Sequence, residues 1–377
     1  MRKSKTVLGD ICKITMGQSP DSSTYHTTNI GLPFYQGNAD FGELYPKTRI
    51  WCSRPQKIAE PENILLSVRA PIGALNITKE KCCIGRGLAA IAPHKNFCFN
   101  KYLFYILKYK HNELNARGTG STFKAINKSI LNDLPIDIYP IDRQKRIAAI
   151  LDKATELIAL RKQQIQKLDL LVKSRFIEMF GNDQEFNRWS CCKIANVADI
   201  TVGVVIKPAQ YYTNCGIPAF RSLNIGEMVV RDKEWVFFTP EGHAKNKKSI
   251  IQENDILVIR SGAPGVACVA TKKYAGYNAI DIIIARPNIN KVNPIFLAMF
   301  TNLPHGMNQI RNKTGGAAQQ HFNIGSYKGL DLILPPLHLQ NEFAAFVEQV
   351  EKTKSTLQQS LKKLELNYKA LMQTYFG

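Results

Sequence analysis

IDRQKRIAAILDKATELIALRKQQIQKLDLLVKSRFIEMF, residues 141 to 180, contains neither proline nor glycine. Pro140 stands immediately before it and Gly181 immediately after, the punctuation expected at the two ends of a helix. Residues 337 to 376 repeat the pattern between Pro336 and Gly377. At 1.5 Å per residue a helix of about 38 of these residues would be about 57 Å long. Apolar residues recur every seven positions: Leu151, Ile158, Ile165, Val172 and Met179 in the first stretch, Phe343, Val350, Leu357, Leu364 and Leu371 in the second. A second row, Ile147, Ala154 and Leu168 or Val347, Leu361, Tyr368 and Tyr375, completes a heptad seam. A stripe of this length must be buried against something. The simplest partner is the other copy, so the spacing predicts an antiparallel coiled coil, interrupted where Arg161, Arg175 and Lys354 must snorkel.

The two stretches are copies. Laying residue n over n + 196 places Pro140, Gln144, Ala148, Ala149, Gln163, Lys167, Leu168, Leu170, Lys173, Phe180 and Gly181 on identical residues between Pro336 and Gly377. FIEMFG in mid-chain therefore echoes LMQTYFG at its end. The same offset carries Gly120, Asn127 and Leu134 onto Gly316, Asn323 and Leu330, but further upstream it drifts. PENILLSVRAPIGAL (61 to 75) resembles ENDILVIRSGAPGVA (253 to 267), and GLPFYQGN (31 to 38) faintly resembles GIPAFRSLN (216 to 224). The heads have diverged while the tails have not.

The heads read as mixed and strand-rich. NILLSVRA, CCIGRGLAAIAP, LPIDIY, DILVIRS, AIDIIIARP and LDLILP are short apolar runs, often β-branched and bounded by glycine and proline. Residues 100 to 114 and 293 to 303 carry helical pattern, each starting at an asparagine able to cap it. The expected fold class is α+β: two mixed, strand-rich heads, at 1–139 and 182–335, alternating with long helices at 140–181 and 336–377, in an internal pseudo-two-fold repeat.

Composition narrows the partner. Lys plus Arg exceed Asp plus Glu by 50 to 30, a net charge of +20 that suits a polyanion but carries no sequence preference of its own. No stretch approaches the roughly 20 apolar residues needed to cross a bilayer, and the basic start lacks an apolar signal core, so a cytoplasmic location is expected. Nine cysteines, two pairs of them adjacent, show no CxxC spacing and are expected as reduced thiols.

The order of segments resembles the specificity (S) subunits of type I restriction-modification systems, over essentially the whole chain. The residues that carry the resemblance are LGDICKITMGQSP at 8 to 20, ENILLSVRAPIG and NDILVIRSGAPG in the heads, and the passages 118 to 151 and 314 to 346 that run from a glycine-rich loop into each long helix. The resemblance implies a non-catalytic subunit that binds double-stranded DNA, each head reading one half of a bipartite site, while the helices set the gap and dock two modification subunits, with restriction subunits as further partners. It implies no cofactor in this chain; S-adenosylmethionine, ATP and Mg would belong to partner subunits. Two other readings stay open: a DNA-recognition subunit of a type IIB-like modification system, and a non-enzymatic protein scaffold whose basicity is incidental.

Features that could signal catalysis have blander explanations. Asn293-Pro294-Ile295-Phe296 resembles the amine-gripping motif of amino-methyltransferases but lacks its second proline, and a helix cap with proline at the first position explains it. Gly85-Arg86-Gly87 mimics a dinucleotide fingerprint, yet Pro93 stops the helix such a site needs. Asp137, Asp142 and Lys145 have no further acid at metal-clustering spacing, and no histidine has an acid-base partner visible by spacing.

Base edges are read by Arg on guanine and by Asn or Gln on adenine, whereas Lys and Arg hold phosphates. The loop-borne candidates are Gln36, Asn38, Arg69, Arg86, Arg117, Lys124 and Lys128 in the first head, and Arg221, Asn224, Arg260, Gln319 and Gln320 in the second. The glycine-rich loops at 119 to 122 and 314 to 318 are further places for a backbone to approach a phosphate.

Overall fold

A computed structural model of the chain describes residues 3–120, 124–182, 185–313 and 322–377. The two long helices run Ile141–Phe180 and Leu337–Phe376, the spans that the proline and glycine punctuation delimits. Each ends in the same way. Gly181 N donates to Ile177 O and Gly377 N to Gln373 O, both at 2.8 Å. Gly181 does so at φ +90°, a conformation that would strain a residue carrying a Cβ.

The described chain divides into two compact units, 1–162 with 359–377 and 163–358, so that each long helix is shared between them. In the first unit, a four-stranded antiparallel sheet has the order Cys12–Met16, Leu88–Pro93, Ile64–Ser67, Leu75–Ile77. A second sheet runs Tyr25–His26, Trp51–Cys52, Leu32–Tyr35, Cys82–Ile84, Ile58–Ala59. The second unit repeats both: Ala198–Val202, Ile282–Pro287, Ile256–Ile259, Ala267–Val269, and then Tyr212–Thr213, Val236–Phe238, Ile217–Phe220, Asn278–Ala279. Even the single parallel pairing recurs, Phe34 on Cys83 in one head and Ala219 on Asn278 in the other. The strand-rich reading of the heads and the internal repeat are thus present, with the fifth strand of the first head's second sheet, Ile58–Ala59, lacking a counterpart.

A helix in each head carries the long helices, and the first turn after proline explains why glutamine recurs there. Gln144 is fully buried; its Oε1 accepts Phe99 N–H at 2.8 Å and its Nε2 donates to Phe97 O and Tyr139 O. Gln340, also fully buried, accepts Asn293 N–H at 2.9 Å and donates to Pro335 O. A buried amide with all this work to do cannot be replaced by an apolar group without stranding backbone partners. The head helices start differently, however. Asn293 caps Pro294–Asn302 by accepting from Ile295 N, as expected, whereas Asn100 lies inside its helix and donates to Glu62 O instead.

The repeated Phe-Gly ending has a packing reason. In the second unit Phe180 seats against Phe296 at 5.0 Å between ring centroids, with Phe176 and Phe343 completing a buried aromatic cluster. In the first unit Phe376 seats against Tyr102 at 5.5 Å, the corresponding position of the other head helix. Truncating Phe176 or Phe180 to alanine would cost about 3–5 kcal/mol.

Within each unit a segment of one long helix lies antiparallel to a segment of the other. In the second unit Asp169 pairs with Lys354 at 2.6 Å and Arg175 with Glu342 at 3.1 Å; in the first, Lys162 pairs with Glu365 at 3.3 Å, while Leu151 and Met372 share one core. The seam residues Leu151, Val172, Phe343 and Val350 are buried, and Ile158, Ile165, Leu357, Leu364 and Leu371 are half-buried. Two of the three cations that interrupt the seam, Arg175 and Lys354, pair across it.

The cysteines are free thiols, with Cys12, Cys52, Cys82, Cys83, Cys98 and Cys268 buried. Burial pushes Cys82, Cys98 and Cys268 up to about 12. No helix of the described residues is long and apolar enough to cross a membrane.

Candidate nucleic-acid interface

The first head gathers four of its sequence candidates around one shallow concavity of about 360 Å³. Gln36, Asn38, Arg69 and Arg86 line it, together with Ser19, Gly37, Ala70 and Gly87. Its floor is made by backbone approaching backbone: a Cβ on Gly87 would sit 2.3 Å from Gln36 O, and one on Gly85 would sit 3.1 Å from Gln36 Cα. Gly85-Arg86-Gly87 is therefore a tight turn between Cys82–Ile84 and Leu88–Pro93, held by Gly85 N donating to Tyr35 O and Gly87 N to Gln36 O. The glycines serve this close approach and open no helix.

The turn projects Arg86 outward, and its backbone N–H donates to Ser19 Oγ at 3.3 Å. Both Arg69 and Arg86 are exposed, and neither guanidinium has a hydrogen bond or ion pair among the described residues. The segment bearing Gln36 and Asn38 is braced from behind: Asp40 Oδ2 accepts Gln36 N–H at 2.7 Å, and Arg49 donates to Asp40 Oδ1 at 2.6 Å and to Ala39 O. Lys124 precedes Ala125, which bridges to both Arg69 and Thr119, so it flanks the same concavity. Lys128 opens the short helix Lys128–Asn132. Arg117 folds back onto Glu113, which also takes Lys110 at 2.6 Å. Burial alone would raise the Glu113 carboxyl, but the hydrogen bonds from Lys110 and Arg117 hold it below the usual range.

The second head treats its candidates otherwise. Asn224 is fully buried: Oδ1 accepts Arg221 N–H at 2.9 Å, and Nδ2 donates to Arg231 O and Lys233 O. It is the counterpart of Asp40, not of Asn38, and the reading of it as a base reader is corrected accordingly. Its amide is consumed in closing its own turn. Arg260 is 8% exposed, with Nε donating to Phe322 O at 3.2 Å and Nη1 to Asp281 Oδ1 at 2.6 Å. This corrects its reading as a loop-borne base reader; it is a core arginine. Arg221 is half-buried and donates to Glu234 O. Gln319, Gln320 and the loop 314 to 318 lie outside the described residues, as do Ser121 and Thr122 of the first glycine-rich loop.

Cations that the sequence reading did not select lie close to these surfaces. Arg49 is one, noticed only because it folds back onto the Gln36–Asn38 segment. In the second head Lys245, Lys247 and Lys248 are exposed on and after Pro240–Lys245, a helix tied to the opposite turn by Thr239 N donating to Tyr211 O at 2.9 Å. Nothing in local sequence distinguishes them from ordinary surface lysines.

A larger concavity of about 740 Å³ in the first unit, bounded by Tyr45, Phe104, Tyr105 and the long helix, differs in character. Four of its charges pair with one another, Lys101 with Asp152 at 2.6 Å and Lys153 with Glu156 at 2.9 Å. Among the described residues no group of three or more His, Cys, Asp or Glu is placed to hold a metal ion.

Comparison with known proteins bears on this arrangement. The model of the type I restriction modification DNA specificity domain matches twice, over residues 3–170 and 187–366. The chain belongs to this family. A protein named as the MjaX type I restriction enzyme specificity subunit of Methanocaldococcus jannaschii is 41% identical over 157 residues, which is 42% of this chain but 37% of that protein. The MjaIX specificity subunit of the same organism is 24% identical over 76% of this chain and 70% of its own length. The crystal structure of a type I restriction-modification system S subunit from M. genitalium covers 100% of this chain and 96% of its own, at a TM-score of 0.59 and 13% identity. That likeness establishes the shared fold: two heads of this domain type alternating with long helices.

Proposed function

We propose that the chain is the DNA-specificity subunit of a type I restriction-modification complex. Each head reads one half of a bipartite duplex site, and the long helices, paired as an antiparallel coiled coil, fix the gap between the halves. The observation that carries this reading is the concavity of the first head, where two unpaired arginines and two amides converge on a glycine-floored surface in a protein of net charge +20. Arginine and amide side chains are the groups that read base edges, and a rigid spacer between unlike readers suits an asymmetric, interrupted target.

The partners are double-stranded DNA and two modification subunits, docked in opposed orientation on the pseudo-symmetric helices, with restriction subunits joining the complex. Methyl transfer and cleavage, with their S-adenosylmethionine, ATP and Mg, would take place in those partners, in the cytoplasm. The chain itself would contribute recognition and spacing.

Sequencing modified bases in genomic DNA with and without the chain tests the proposal. A two-part methylated motif with a constant gap should appear only when the chain is present. Modification that is unchanged by its deletion would refute the reading.

A further inference from the structure

The heads present different chemistry at the same place in the fold. Backbone hydrogen bonds fix the correspondence: Gly17 N donates to Leu88 O and Gln18 N to Ile84 O, just as Gly203 N donates to Ile282 O and Val204 N to Ala279 O. The next two residues are Ser19 and Pro20 in the first head and Val205 and Ile206 in the second. Ser19 lines the cationic concavity. Val205 is 47% exposed and Ile206 79%, the highest value among the exposed large apolar side chains of the described residues.

The surrounding cations change in parallel. Gly73 N donates to Ser67 O and Gly265 N to Ile259 O, so Arg69 corresponds to Ser261 and Val68 to Arg260. The three-residue turn that bears Arg86 becomes the two-residue turn Ile280–Asp281, and Asp281 neutralises Arg260 from within. The second head has therefore exchanged two outward guanidiniums for an outward apolar tip. Lys207 follows that tip immediately, and the lysines at 245, 247 and 248 lie on the adjoining segment, so the surroundings remain suited to a polyanion.

We infer that the second head recognises its half-site by packing Val205 and Ile206 against a thymine C5-methyl group, whereas the first head reads guanine with Arg69 and Arg86. The inference rests on the proposed role in DNA binding. The thymine methyl is the apolar group on a base edge in the major groove, and burying an exposed β-branched side chain against it removes apolar surface from water. Guanine O6 and N7 are the matching acceptors for a guanidinium.

The test uses the full chain assembled with its modification subunits and a duplex carrying its own target. Thymines are replaced one by one with uracil, which removes only the methyl group, and guanines with 7-deazaguanine, which removes N7. In one half-site uracil should weaken binding about fourfold at a position where the Ile206→Ala complex no longer discriminates. In the other, 7-deazaguanine should weaken binding about tenfold, and Arg69→Ala or Arg86→Ala should abolish that difference. These side chains are exposed, so the variants should fold. The inference is overturned if uracil is tolerated throughout both halves, if Ile206→Ala retains the discrimination, or if Ile206→Ala impairs only assembly with the modification subunits. A complex that prefers no bipartite duplex at all would instead defeat the underlying DNA-reading role.

Discussion

Val68-Arg69 in the first head and Arg260-Ser261 in the second occupy the same two positions beyond equivalent strands, with the order of arginine and partner reversed. Successive residues of an extended chain face opposite sides. Arg69 therefore reaches the surface, while Arg260 enters the core and requires Asp281. A one-residue shift converts a candidate reader into a structural arginine, so under the proposed DNA-reading role the second head reads from a different surface.

Several changes would break or sharpen that contrast. The largest effect is expected from Asp281→Asn, which removes the carboxylate that neutralises a buried guanidinium and should destabilise the second head by about 2–3 kcal/mol in urea unfolding. Adding Arg260→Val, the residue type of the first head, should restore most of the loss, whereas Arg69→Ala should change stability by less than about 0.5 kcal/mol. Where the halves are alike, effects should be alike: Gln144→Ala and Gln340→Ala should each cost about 2 kcal/mol, since each leaves a backbone N–H and at least one carbonyl of its head without a partner. Asn224→Ala should cost about 1–2 kcal/mol through lost turn closure while leaving base preference intact, an outcome that separates its structural role from a reading one.

The smallest contrast is in pH dependence. Burial raises Cys12, Cys82, Cys83 and Cys98 strongly in the first head, and in the second raises Cys268 strongly and Cys191 and Cys192 less. A thiol raised in the fold keeps its proton when the unfolded chain has lost its own, so its contribution is full below about pH 9 and declines as pH rises toward the folded value. Unfolding followed through Trp51 should therefore shift more between pH 8 and 10.5 than unfolding followed through Trp235. Equal shifts would contradict the burial assigned to the first head's thiols.

The sequence made some of this legible and hid the rest, for identifiable reasons. The long helices were readable because proline and glycine bracket 40 residues free of both and because a seven-residue apolar period admits one face. The strands were readable from β-branched runs, and the recurrence of Gln144 at Gln340 from the 196-residue offset. The site was only half readable. Gln36, Asn38, Arg69 and Arg86 lie together because sheet topology brings three separate loops together, whereas the sequence offers only their residue chemistry. Arg260 and Asn224 deceived because type and loop context were right while side-chain direction, set by register and by a turn one residue shorter, was wrong. The tip at Val205-Ile206 passed unnoticed because apolar residues in a loop signal nothing until their exposure is known.

Footprinting of the full chain with its modification subunits on a target duplex tests the central claim most directly. Two protected patches separated by a gap of constant length are predicted, with Arg69→Ala weakening only one of them. A single continuous patch, or protection that moves when the spacing sequence is changed, would contradict two unlike heads held at a fixed distance.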